Sequence, residues 1–131
     1  MKVLVLDDHD GFREEVLAML SRHHHEGIGV NNAPAAIPLA ERGGFDFVLV
    51  DYSMPEHDGI WFLKNAKLPP QTRALLVTAR VERPVINAMF QAGACGYIIK
   101  PFDEADLMRH MEFHTRRAAG RTRHERQEPS P

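Results

Sequence analysis

Short apolar runs recur along the chain, and most of them end abruptly on a polar or charged side chain. Lys2–Leu6 (KVLVL) meets Asp7 and Asp8, Phe47–Val50 meets Asp51, the run ALLV from Ala74 meets Thr78, and Tyr97–Ile99 meets Lys100. Continuous apolar runs of this length, bounded by turn residues, predict strands buried on both faces. Ile28–Val30 reads as a further short strand, at an edge. Between the strands, apolar residues fall at helical spacing: Phe12, Val16, Leu17, Met19 and Leu20, with Arg13, Glu14 and Glu15 on the other face. Asp10 reads as the N-cap of this first helix, which fades over His23–Glu26 and stops at Gly27. Asn32 caps a second helix with Pro34 in its first turn, and Gly43-Gly44 ends it. Pro38 removes a hydrogen bond inside that helix, which predicts a kink or a late start. A short third helix runs through Ile60, Trp61 and Leu63. Pro84 opens a fourth, with Val85, Ile86, Met89 and Phe90, and Gly93 ends it. Asp103 caps a last helix with Leu107, Met108 and Met111 on its inner side.

Five strands alternating with five helical patterns predict βα repeats around a parallel sheet. With right-handed crossovers this is an α/β, doubly wound three-layer sandwich. In such a sheet the carboxyl ends of the strands share one edge, where ligands bind. Asp7, Asp8, Asp51, Thr78 and Lys100 therefore converge. Three nearby carboxylates repel one another unless a cation sits among them. Oxygen donors without His or Cys select a hard ion, and Mg²⁺ is the usual one beside phosphate. A lysine and a hydroxyl at the same place suit the developing charge of a phosphoryl group. Taken singly, Asp7 or Asp8 reads equally well as a helix cap, Asp51 as a loop acid and Thr78 as a strand-end hydroxyl. Lys100 alone reads as a solvated lysine, and Tyr97 as a strand aromatic. Their joint placement points to phosphoryl chemistry on Asp51.

Composition narrows the picture without changing it. The 131 residues suit one domain, and 44% apolar with 26% charged residues is ordinary for a globular chain. No apolar run approaches the ~18 residues of a membrane span, and MKVLVLDD is not a signal peptide. The one cysteine, Cys95, lies in an apolar stretch and is expected to be a packed side chain in a reducing, cytoplasmic setting. The net charge of −2 hides an asymmetry, since the first 114 residues carry 11 basic and 16 acidic side chains. That acidic body offers no footprint for nucleic acid. Beyond it, Arg116, Arg117, Arg121, Arg123 and Arg126 face only Glu125 and Glu128. Residues 118–131 are read as a basic, disordered tail or the start of a linker, and residues 1–117 as the domain. The run His23-His24-His25, with His9, invites a metal reading, but consecutive histidines point in different directions on a helix, and a solvated helix end is expected.

The motif set resembles the receiver domains of two-component response regulators, including the stand-alone chemotaxis type, over residues 2 to 114. It comprises the acidic pair Asp7-Asp8, Asp51 followed by Met54-Pro55 and Asp58-Gly59, Thr78-Ala79, and Lys100-Pro101, in that order. The resemblance implies a flavodoxin-like (βα)5 fold with strand order 2-1-3-4-5. It implies that Asp51 takes a phosphoryl group from the phosphohistidine of a sensor histidine kinase or a phosphotransfer protein. Asp8 and Asp51, with the backbone carbonyl of Ser53, would hold Mg²⁺, and Asp7 would act through water. Lys100 would pair with the phosphoryl oxygens, Thr78 would turn inward to bond them, and Tyr97 would follow as the coupled switch. Lys100-Pro101 would be cis. Ser53 and Arg80 occupy places that in this family flank the phosphoryl group and modulate its hydrolysis. The last two helices and the fifth strand would present the surface for a downstream protein target or a receiver homodimer. Such a chain is a self-phosphorylating switch, not a conventional enzyme, and neither a membrane nor nucleic acid is among its expected partners. A rival reading takes Asp8-His9-Asp10-Gly11 as the nucleophile loop of a haloacid-dehalogenase-type phosphatase, with Asp8 attacking and Asp10 as acid/base. It leaves Asp51 and Met54-Pro55 without a role. A second rival is a degenerate receiver that only binds partners, which the complete acidic set argues against.

Overall fold

The computed structural model describes residues 1–124, and side chains as far as Thr115. Its elements are β1 (Lys2–Leu6), α1 (Asp10–Arg22), β2 (Glu26–Val30), α2 (Ala33–Arg42), β3 (Phe47–Asp51), α3 (Gly59–Asn65), β4 (Arg73–Thr78), α4 (Arg83–Gln91), β5 (Gly96–Ile99) and α5 (Glu104–His124). They fall into two compact units, Met1–Pro101 with the sheet and the first four helices, and Phe102 onward with α5. All five strands are parallel, in the order β2-β1-β3-β4-β5, as expected. Among the described residues, no helix is long and apolar enough to cross a membrane.

The alternation of side chains along each strand divides the core of the first unit. Leu4, Leu6, Val48, Val50 and Leu76 pack with Ala33, Ala36 and Ala40 of α2, Phe62 of α3 and Met89 of α4, all buried. The alanine stripe on α2 lets that helix lie close to the sheet. Every residue of β3 is buried, so its unbroken apolar run is what a central parallel strand requires. At the edge, β2 carries Gly27 and Gly29 in place of side chains. A Cβ on Gly27 would stand 2.8 Å from Leu17 Cδ2, so the glycine makes room for α1. The expected helix stop at Gly27 is therefore a strand residue. The helix ends at Arg22, His24 turns the chain at φ +65°, and β2 begins two residues earlier than expected, at Glu26.

Three other expectations need correction. The N-cap of α1 is His9, whose Nδ1 accepts from the Phe12 amide at 3.0 Å; Asp10 is the first helical residue and pairs with Arg13. An unprotonated imidazole nitrogen accepts as a carboxylate does, so the cap moves back by one residue. Of the two effects expected of Pro38 the late start does not occur: the second helix begins at Ala33 after the Asn32 cap and extends past Pro38. Both Pro34 and Pro38 are exposed, where water can reach the carbonyl that Pro38 leaves without a donor. Cys95 is exposed rather than packed. It lies in the turn from α4 to β5, and its amide donates to the Ala74 carbonyl. The Asp103 cap is as expected, with Oδ1 accepting from the Asp106 amide at 2.8 Å. α5 runs past residue 117, where the domain was expected to end, and residues 125–131 of the expected tail lie outside the described residues.

Candidate active site

Strand register assembles the site. Leu6 pairs with Val50, so Asp7 and Asp51, each the next residue, stand side by side at the ends of adjacent strands. Asp51 in turn pairs with Val77, and Thr78 with Ile99, which brings Thr78 and Lys100 to the same edge. Lys100, 93 residues from Asp7 in the chain, lies with its Nζ 3.3 Å from Asp7 Oδ2 and 3.1 Å from Asp51 Oδ1. Its backbone amide donates to the Thr78 carbonyl, and Lys100-Pro101 is cis.

Asp7 is buried and fully engaged. Oδ1 accepts from the His9 amide at 2.8 Å and Oδ2 from Lys100, while its backbone carbonyl accepts from Arg13 Nη1. Asp8 is exposed and faces the cleft. Among the described residues, Asp7, Asp8 and Asp51 form one group of carboxylates whose oxygens all lie within 4.8 Å of one another. One ammonium opposes three carboxylates, so the cluster retains excess negative charge. Burial, and then the charge of Asp7, push the Asp51 carboxyl up to about 6; the pull of Lys100 is smaller than these. An all-oxygen donor set with uncompensated charge fits a hard divalent cation.

The loop from β3 to α3 is held close to the site. The Tyr52 amide donates to the Val77 carbonyl and the Gly59 amide to the Tyr52 carbonyl. Asp58 caps α3 by accepting from the Trp61 amide at 2.9 Å, and His57 stacks on Trp61 at 3.9 Å. A Cβ on Gly59 would come 2.6 Å from the Asp51 carbonyl oxygen. The glycine is thus required by proximity to the site, and Glu56 absorbs the tight turn at φ +68°.

An open cleft of about 560 Å³ lies over the cluster, lined by Asp8, His9, Phe12, Asp51, Tyr52, Ser53, Thr78, Ala79, Arg80 and Lys100. Thr78 is buried, and its hydroxyl is turned on its own chain: Oγ1 accepts from the Arg80 amide at 2.8 Å and donates to the Arg80 carbonyl. The Arg80 side chain is exposed, paired with Glu82 at 3.0 Å and placed over the Tyr52 ring. Tyr97, alone among the expected site residues, stands apart from both cluster and cleft, half-buried against the apolar core. Sequence reasoning missed three contributors. Phe12, read as a core position, carries the Lys100 ammonium 4.4 Å from its ring centroid. His9 caps α1, and Arg13 fastens the Asp7 carbonyl. Only His9, directly after the acidic pair, carried a positional hint.

A family model described as the response regulator receiver domain matches residues 3–112. The chain belongs to this family. The receiver is 36% identical over 116 residues to the chemotaxis protein CheY-3 of Vibrio cholerae, covering 82% of this chain and 85% of that protein. It is 31% identical over 121 residues to the chemotaxis protein CheY of Pseudomonas aeruginosa, covering 86% and 94%. The solved structure of the Vibrio cholerae chemotaxis protein CheY4, crystallized at low pH, superposes with a TM-score of 0.79 at 26% identity, covering 85% of this chain and 95% of that one. Membership displaces the phosphatase alternative. In the receiver, Asp10, the acid/base of that alternative, is a helical residue tied to Arg13.

Proposed function

We propose that Asp51 is the phosphoacceptor of this receiver, and that residues 1–117 are the unit that carries the reaction. The observation that carries the reading is a buried carboxylate at a central strand end, 3.1 Å from a lysine ammonium, grouped with two further carboxylates and open to a cleft. A carboxylate oxygen of Asp51 attacks phosphorus in the phosphohistidine of a sensor histidine kinase or phosphotransfer protein. The O–P bond forms, the P–N bond breaks, and the electron pair returns to the donor's imidazole. Lys100 follows the charge, exchanging its contact with Asp51 for the phosphoryl oxygens. Thr78 can bond the same oxygens once its hydroxyl releases the Arg80 backbone, and Tyr97 follows from its half-buried place. Asp8, Asp51 and the Ser53 carbonyl would hold Mg²⁺, with Asp7 acting through water, and the ion would neutralise charge on the transferring group. Both oxygens of Asp7 are already engaged, which suits an indirect role for it.

In this reading the chain is a cytoplasmic signalling switch rather than a conventional enzyme. Its output is read by a downstream protein or a second receiver. Val81 in the loop before α4, Phe90 on α4 and Ile99 on β5 are exposed apolar side chains and belong to the expected output face. Ser53 and Arg80 line the mouth of the cleft and modulate phosphoryl lifetime. Treatment with a small phosphodonor and Mg²⁺ should give one acid-stable, base-labile label per chain, absent in Asp51→Asn. Multiple turnover that depends on Asp8 and Asp10 would sink the proposal. Arg80→Ala is expected to change the decay rate of the label, and an unchanged rate would remove Arg80 from the mechanism.

A further inference from the structure

We propose that His110 and His114 form a second metal site, on α5, for a borderline divalent ion such as Zn²⁺, Ni²⁺ or Cu²⁺. Residues four apart on a helix face the same way one turn apart. Here the two imidazole rings lie nearly parallel, with an interplanar angle of 16° and centroids 6.4 Å apart. An ion bound at roughly 2.1 Å to one nitrogen of each ring, at a tetrahedral angle, holds the two centroids about 5 Å apart. The rings must therefore close by about 1 Å and turn until a nitrogen of each faces the ion. Both residues are half-buried, which limits the rotamers available to them. Phe113 meets the His114 ring edge-on at 5.0 Å and restrains it further.

Asp106 stands one turn before His110 but is committed elsewhere. Its Oδ2 accepts from the Asp103 amide and its Oδ1 pairs with Arg109. It acts as an outer charge, and water completes the coordination around the two imidazoles. Imidazole selects borderline ions, whereas Mg²⁺ prefers oxygen. The carboxylate cluster and the α5 pair thus sort ions by hardness.

The competing locus is the run His23–His25, where His25 Nδ1 lies 3.0 Å from the Met1 amine. The test is calorimetric titration of the full chain with Zn²⁺ or Ni²⁺ in buffer saturated with Mg²⁺. Two variants serve because His110 is half-buried. His114→Ala and His110→Gln are each expected to weaken binding about tenfold or more, with unchanged far-ultraviolet circular dichroism and unchanged Mg²⁺ affinity. The triple alanine variant of His23, His24 and His25 keeps the site. Zn²⁺ also slows amide exchange around residues 110–114 in the parent chain. Unchanged affinity in both α5 variants, or loss that follows the triple variant instead, overturns the assignment.

Discussion

Asp51 sits where its ionisation is costly, and that cost can be measured. Its carboxyl titrates near 6, above the ordinary 3.8, because burial and Asp7 outweigh Lys100. Below about pH 4 the group is protonated in folded and unfolded chains alike. Between about 4 and 6 the folded chain holds the proton more tightly, so stability falls as pH rises and the contribution is lost past 6. Without divalent ions, the decline attributable to this group is about 2–3 kcal/mol. Asp51→Asn removes that decline but also the Lys100 pair, so at pH 7 the variant should be more stable by about 1–2 kcal/mol. Urea unfolding of both chains from pH 4 to 7 checks it, and parallel curves would show that the burial is not felt. A carboxylate held against the stability of the fold is what the proposed role of Asp51 as phosphoacceptor leads one to expect.

At the scale of elements, the short helix α3 and the loop before it depend on one missing side chain. Gly59 begins α3, donates to the Tyr52 carbonyl and lies against the Asp51 carbonyl and Leu76. Gly59→Ala forces a Cβ into those atoms and should destabilise by about 2–3 kcal/mol. A loss below 0.5 kcal/mol in urea unfolding would show that the loop yields freely. The N-terminus of α1 is less critical. His9→Ala removes the cap on the Phe12 amide and should cost about 1 kcal/mol, while the Asp7 bond from the residue 9 amide stays. These element-level details were only partly legible in the chain. The α2 cap at Asn32 and the α3 start at Gly59 follow from local rules. The His9 cap, the strand role of Gly27 and the unbroken run of α2 through Pro38 depended on neighbours and solvent.

For the whole molecule, the prediction concerns the cation. An ion that binds the folded carboxylate cluster at a hundred times its Kd stabilises by about 2.7 kcal/mol. Mg²⁺ should accordingly raise the thermal midpoint of the parent chain, and Asp8→Asn should lose most of that rise while remaining folded in its absence. An equal rise in both would place the ion elsewhere. What could be read in advance is strand identity, order of motifs and the residue types at strand ends. Apolar runs ending on Asp7, Asp51, Thr78 and Lys100 are local patterns, and a parallel sheet has one edge where they must emerge. Distances and environments could not be read in advance. The register between β1, β3, β4 and β5 set Lys100 between two carboxylates, and burial raised the proton affinity of Asp51. Phe12 became a seat for the ammonium, and the hydroxyl of Thr78 turned to the Arg80 backbone. Periodicity and turn residues act over a few positions of the chain. Electrostatic environment is a property of atoms brought together across 93 residues, and only folding supplies it.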